Sequence, residues 1–278
     1  MSEDPISTTI RQPAAAGQFY PGQREELERT VKDLIGPGPA QKALGVVVPH
    51  AGYKYSGRVA GAVYGAVDLP EVFIILGPNH TGMGAPASIM TAGTWRMPGG
   101  DVPIDTELAG EVLENSRLLE ENAAAHLREH SIEVQLPFLQ YMVGLPLIVP
   151  ISLMISRPEQ CLDIGEALAA AIREFPAPVL IVASSDMSHY ESQATAQQKD
   201  KLALEQILQQ SPEGLLKTVR ENQISMCGAA PVATMLYACR ELGAGDARLI
   251  RYETSGDVTG DYGRVVGYAG VAVNPARD

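Results

Sequence analysis

Asp186 and His189 stand three residues apart in Ser184-Ser185-Asp186-Met187-Ser188-His189-Tyr190, directly after the apolar run Val179 to Ala183. A carboxylate beside an imidazole suits proton transfer, because imidazole titrates near neutral pH and exchanges a proton at little cost. The pattern of apolar run followed by histidine occurs twice earlier. Val46-Val47-Val48 leads into Pro49-His50, and Phe73-Ile74-Ile75-Leu76 leads into Gly77-Pro78-Asn79-His80. A single histidine after a strand is ordinarily a satisfied loop residue. Three of the chain's 5 histidines in such places point instead to one shared site, and neutral imidazole is the commonest protein ligand for metals.

Cys227 lies in a turn of small residues, Met226-Cys227-Gly228-Ala229-Ala230, just before a predicted helix start. A thiolate is favoured there, so Cys227 reads as a metal ligand or a nucleophile. Cys161 and Cys239 fall inside helical apolar patterns and read as core. His126-Leu127-Arg128-Glu129-His130 matches the inverted zinc-peptidase signature H-x-x-E-H, which requires a long helix. Ser131 reads as a helix N-cap directly after it, so the motif straddles a helix boundary, and His130 and Glu133 are expected to line a pocket. There is no Walker A segment, no G-x-G-x-x-G after a strand and no G-x-S-x-G elbow.

These residues need rigid elements to position them. Strands are expected at 44–48, 72–76, 147–153, 179–183, 248–252 and 265–273, and helices at 24–35, 57–67, 106–115, 161–174, 195–209, 212–221 and 231–242. A further helix is expected from Ser131, kinked or ended by Pro137. Residues 85–104 read as a β-excursion carrying the one tryptophan, Trp95, and Asp105 as the N-cap of the helix after it. The loop at Asp257 and Asp261 lacks EF-hand spacing and is expected to be structural, closing one side of the site. Alternating strands and helices give the fold class as α/β. The expectation is a single domain over 1–278 with a largely parallel or mixed central sheet covered by helices on both faces. In such sheets ligands bind beyond the carboxyl ends of the strands, where His50, His80 and His189 stand.

A formal net charge of -12 argues against nucleic acid and against anionic membrane surfaces. No apolar run reaches the ~18 residues of a membrane span. The polar, acidic start Met1-Ser2-Glu3-Asp4-Pro5 is unlike a secretory signal. The 3 cysteines have no framework spacing, and a cytoplasmic location is expected.

Taken together, Pro49-His50-Ala51-Gly52-Tyr53, Leu76-Gly77-Pro78-Asn79-His80, Glu129-His130-Ser131-Ile132-Glu133-Val134-Gln135-Leu136-Pro137, Ser184-Ser185-Asp186-Met187-Ser188-His189 and Cys227-Gly228 resemble the MEMO family. Its microbial members are called AmmeMemoRadiSam system protein B. Ser255-Gly256-Asp257-Val258-Thr259-Gly260-Asp261 also looks like those members. The family is similar in fold to class III extradiol dioxygenases, which are non-haem Fe(II) enzymes. The resemblance implies His50 and His80 as metal ligands, His189 as the catalytic histidine and Asp186 as the pocket aspartate. It places Cys227 where the dioxygenases have a glutamate ligand. It implies Tyr53, Asn79, His130 and Glu133 as pocket residues. Fe(II) is the first expectation for the metal; a thiolate in place of the carboxylate softens the site toward copper or zinc. The leading expectation is a redox enzyme acting on a small-molecule substrate; the alternatives are a zinc-type hydrolase using the same pocket, with Asp186 or Glu133 as base, and a binding module without turnover. Partners implied are an AMMECR1-type protein and a radical SAM protein.

Overall fold

The computed structural model describes residues 9–276; Met1 to Pro5 lie outside them. The chain opens with β1 (Ile10–Arg11), α1 (Arg24–Leu34), β2 (Gly45–Val48), α2 (Tyr53–Gly65) and β3 (Val72–Pro78). The β-excursion follows as β4 (Ala87–Ile89), β5 (Thr94–Met97) and β6 (Gly100–Pro103), then α3 (Thr106–Asn115) and β7 (Glu120–Glu121). The middle holds α4 (Leu136–Val143), β8 (Leu147–Leu153), α5 (Pro158–Glu174), β9 (Val179–Ser184) and β10 (His189–Glu191). The end comprises α6 (Gln193–Leu208), α7 (Pro212–Glu221), α8 (Ala229–Glu241), β11 (Ala244–Thr254), the single turn α9 (Gly256–Thr259) and β12 (Val265–Pro275).

The short β-branched runs form the middle of one mixed sheet, in the order β10-β12-β2-β9-β3-β8-β4-β7 with β11 along β12. β2, β9, β3 and β8 run parallel, whereas β12 and β4 flank them antiparallel. Every residue of β2 and β3 is buried, as strands covered on both faces require. Gly45 shows which helix covers which face. A Cβ there would meet Met235 and Cys239 of α8, while a Cβ at Gly270 would meet Val59 and Val63 of α2. Gly45 pairs with Val273, and Gly270 has the opposite parity on β12, so α8 and α2 cover opposite faces. This is the α/β architecture the sequence predicts.

Register brings the chemistry to one edge. Val48 pairs with Ser184 and Leu76 with Ala183. The parallel strands therefore stop nearly level, and the segments at His50, His80 and Asp186 leave from neighbouring strand ends.

The elements depart from expectation where local patterns compete. α2 begins at Tyr53 rather than 57, with Gly52 at its N-cap. No α-helix starts at Ser131. A 3₁₀ turn spans Glu133–Gln135 and α4 follows it, with Pro137 in its first turn. Proline is tolerated there, because that N–H has no intrahelical acceptor. Asp105 caps α3 as predicted, its Oδ1 accepting from the Leu108 amide at 2.9 Å.

Candidate metal centre

His50 follows β2 by one proline and is 2% exposed. Its Nδ1 lies 2.9 Å from Ser184 Oγ, at the end of the adjacent strand. The Ser184 hydroxyl has one proton, which goes to the Ser131 carbonyl at 2.7 Å, and it already accepts from Gln135 Nε2 at 2.9 Å. Only a lone pair remains for His50, so Nδ1 carries the proton and Nε2 is bare. His80 is set in the same sense. Its Nδ1 is 2.9 Å from Glu129 Oε1, and its amide donates to Glu129 Oε2 at 2.6 Å. A carboxylate that only accepts leaves Nε2 of His80 as the free nitrogen.

Among the described residues, His50, His80 and His130 each place one ring nitrogen within 4.8 Å of the others. The rings of His80 and His130 stack with centroids 4.9 Å apart, and His50 meets both edge-on at 5.2 and 5.5 Å. Nitrogens on a shared metal with ~2.1 Å bonds stand about 3–4 Å apart, so modest ring rotations close the set. Burial keeps two of these rings, His50 and His130, in the neutral ligand form. Burial, then the neighbouring His130 and His80, hold the His50 pKa well below the ordinary histidine value. Burial likewise lowers that of His130. Burial opposes the charged form of His80 too, but the hydrogen bond and charge of Glu129 outweigh it and raise its pKa.

Cys227 lies beside this group, its Sγ 3.2 Å from His50 Nε2. The Asp186 amide donates to that sulfur at 3.3 Å. The position before α8 was expected to favour thiolate. Burial, followed by the Asp186 carboxylate, drives the thiol pKa up instead, so the sulfur carries its proton and donates to the bare Nε2.

A family model described as Memo-like protein matches residues 11–272. The chain belongs to the MEMO family.

A MEMO1 family protein of Methanopyrus kandleri is 40% identical over 276 residues, covering 94% of this chain and 98% of the relative. One from Thermotoga maritima is 44% identical over 276 residues, covering 93% and 97%. One from Methanococcus maripaludis is 43% identical over 282 residues, covering 95% and 99%. Among solved structures, an uncharacterized Escherichia coli K12 protein aligns with TM-score 0.54 at 14% identity, covering 83% of this chain and 100% of that one. That likeness shows the fold.

The remaining candidate residues of this MEMO chain take several places. His189 opens β10; its Nδ1 lies 2.8 Å from the Ser225 carbonyl and its amide donates to Ser225 Oγ at 2.7 Å. Ser225, not Asp186, therefore orients the His189 ring and leaves its Nε2 bare. Asp186 Oδ1 instead takes the amides of His50 and Ala51 at 2.8 and 3.3 Å, and burial raises its pKa. The Tyr53 hydroxyl is spent on the Val134 carbonyl at 2.7 Å. Asn79 ties its own turn, Oδ1 accepting from the Thr81 and Gly82 amides at 3.0 Å each.

Glu133 departs furthest from expectation. It is fully buried in an ion pair with Arg11, and also takes the amides of Ala14 and Ala15 and the Tyr20 hydroxyl. Both oxygens carry two donors, so this carboxylate has no lone pair left for base chemistry. The H-x-x-E-H segment is no helix: His126 is buried against Trp95, while Glu129 and His130 turn to the metal-ligand group. Glu129 stands in both the H-x-x-E-H match and the family-resembling segment, but neither gave it a role of its own. Ser184 and Gln135 stood inside the family-resembling segments without a role of their own, and Ser225, between α7 and α8, had no signal.

His80 and Cys227 form one wall of a cleft of about 680 Å³ between the β3 and β8 ends and the start of α8. Its lining is largely apolar, including Met154, Ile155, Leu216 and Val219, and its charged groups are Arg157 and Arg220. Among the described residues no helix is long and apolar enough to cross a membrane.

Proposed function

We propose that this MEMO chain is a metal-dependent oxidoreductase acting on a small molecule. The carrying observation is the convergence of His50, His80 and His130, with the Nδ1 atoms of His50 and His80 tied away to Ser184 and Glu129. His50 and His80 are the shared ligands. The third donor is His130 or Cys227, and that choice sets the metal. Imidazole suits Fe(II) or zinc, whereas a thiolate favours copper(I). Fe(II) is the leading assignment, on the resemblance to the extradiol dioxygenases. When bound, the metal would supply Lewis acidity and, as iron, one-electron chemistry with O₂.

The chain's own residues do the rest. His189, with Nε2 bare and Nδ1 fixed by Ser225, is the proton acceptor and donor. Asp186 holds the His50 backbone in place. The cleft beside His80 is apolar with two arginines, which fits a substrate with an apolar body and an anionic group. A hydrolase using Glu133 as base is disfavoured, because both of its oxygens are fully engaged.

Anaerobic Fe(II) titration, followed by O₂ uptake with a panel of aromatic carboxylates and their neutral analogues, tests the reading. Stoichiometric binding, lost in the His50→Ala/His80→Ala double variant, is expected. No binding by wild type, or undiminished binding by the double variant, overturns the assignment.

A further inference from the structure

We infer that Arg11 is a positioning residue for the metal centre, acting through Glu129 on His80 and through the 126–133 segment on His130. The inference rests on the metal reading above. Arg11 is fully buried on the two-residue strand β1. Its Nε donates to the His126 carbonyl at 3.0 Å, Nη2 donates to the Glu129 carbonyl at 2.6 Å, and Nη1 pairs with Glu133. The guanidinium lies over Trp95, 4.2 Å from the ring centroid. One planar group thus grips residues 126, 129 and 133 from one side.

That segment lacks a regular ladder to hold it. It joins the 3₁₀ turns Ala123–Ala125 and Glu133–Gln135 and contains neither α-helix nor strand between them. Yet it carries the parts needing the most precise placement. Glu129 Oε1 takes His80 Nδ1 and the amides of His130 and Ser131, each at 2.9 Å. Where Arg11 puts the Glu129 backbone, the carboxylate follows, and with it the His80 ring and the His130 backbone. Metal sites depend on such outer contacts, whose loss typically costs 10–100-fold in affinity.

A guanidinium is required rather than a positive charge alone. It sends donors in several fixed directions within one plane, whereas an ammonium is a single point on a flexible stem. Arg11→Lys keeps the charge facing Glu133 but cannot reach all three acceptors. The other arm of the clamp is Glu133 itself, whose bonds to Ala14, Ala15 and Tyr20 fasten the chain after β1 to the same segment.

Co(II) binding tests the inference, because Co(II) reports its ligand geometry in its visible spectrum. Wild type, Arg11→Lys, Glu129→Gln, the Arg11→Lys/Glu129→Gln double variant and the buried control Ile207→Val are compared well below their melting temperatures. Arg11→Lys is expected to weaken Co(II) binding by about tenfold or more and to shift the absorption bands. Ile207→Val is expected to lower the melting temperature and leave both unchanged. Because Arg11 acts on His80 through Glu129 and on His130 through the segment backbone, the double variant is expected to lose less than the product of the two single losses. Wild-type affinity and spectrum in Arg11→Lys, or single effects that multiply in the double variant, overturn the positioning role while the metal reading stands. Absence of Co(II) binding by wild type overturns both. Should Arg11→Lys fail to fold, Glu133→Gln probes the same clamp with the same expected and overturning results.

Discussion

Glu129 Oε1 lies 2.9 Å from His80 Nδ1, and the same carboxylate takes the His80 amide through Oε2 at 2.6 Å. One side chain therefore fixes both the ring and the backbone of a histidine 49 residues away. Burial alone would raise the Glu129 pKa; the hydrogen bond and charge of His80, with backbone amides, bring it down to about 2. Glu129 stays ionised wherever the protein is folded near neutral pH.

Glu129→Gln should weaken metal binding by about 10–100-fold while the fold survives. The amide presents two hydrogens where the carboxylate only accepts, so an N–H now facing Glu129 loses its acceptor. Competition titration of Zn(II) against a chromophoric chelator measures it. Unchanged affinity would remove Glu129 from the centre.

Ser184→Ala should cost about 1–3 kcal/mol in urea unfolding, because His50 Nδ1, Gln135 Nε2 and the Ser131 carbonyl lose one shared buried partner. With its tautomer no longer fixed, His50 should also bind metal more weakly. A stability loss with no change in affinity would show that another group sets the tautomer.

The third donor is decided by comparing His130→Ala with Cys227→Ser. A thiol held above its ordinary pKa by burial and Asp186 must release its proton to bind a metal. If Cys227 is a ligand, wild-type affinity rises with pH by up to one further power of ten per unit than that of Cys227→Ser, and the variant loses its preference for copper(I). Equal pH slopes, together with a large loss in His130→Ala, would assign the position to His130.

Acid stability should carry the mark of His126. Burial, then the nearby Arg11 charge, lower its pKa to about 3 in the folded chain, against 6.5 unfolded. Between those values the unfolded chain binds a proton that the folded chain refuses, so this contribution is complete above pH 6.5 and is lost as pH falls toward 3. Its slope approaches about 1.4 kcal/mol per pH unit. His126→Phe should flatten the stability profile below pH 6, although His50 has the same sign and keeps part of the slope. An unaltered profile would mean that His126 is protonated in the folded state.

The sequence by itself determined the fold class and the strand-end histidines. Short β-branched runs such as Val46-Val47-Val48 bury on both faces wherever they are placed. Glycine, proline and polar residues end them abruptly, so His50 and His80 could be placed beyond strands from local pattern alone. Tertiary structure decided how those residues are used. Parallel register between β2 and β9 set Ser184 against His50, a relation of 134 residues that no local pattern encodes. His130 and Glu129 sit in a segment with no helical or strand period, and contacts with Arg11, 118 residues from Glu129, hold it. Glu133 looked like a pocket acid because its type and neighbourhood fit, yet long-range donors consumed its lone pairs. Periodicity reports which face of an element is buried. Hydrogen-bond partners of a buried polar group are chosen by whichever distant segment packs beside it, and that choice exists only once the chain has folded.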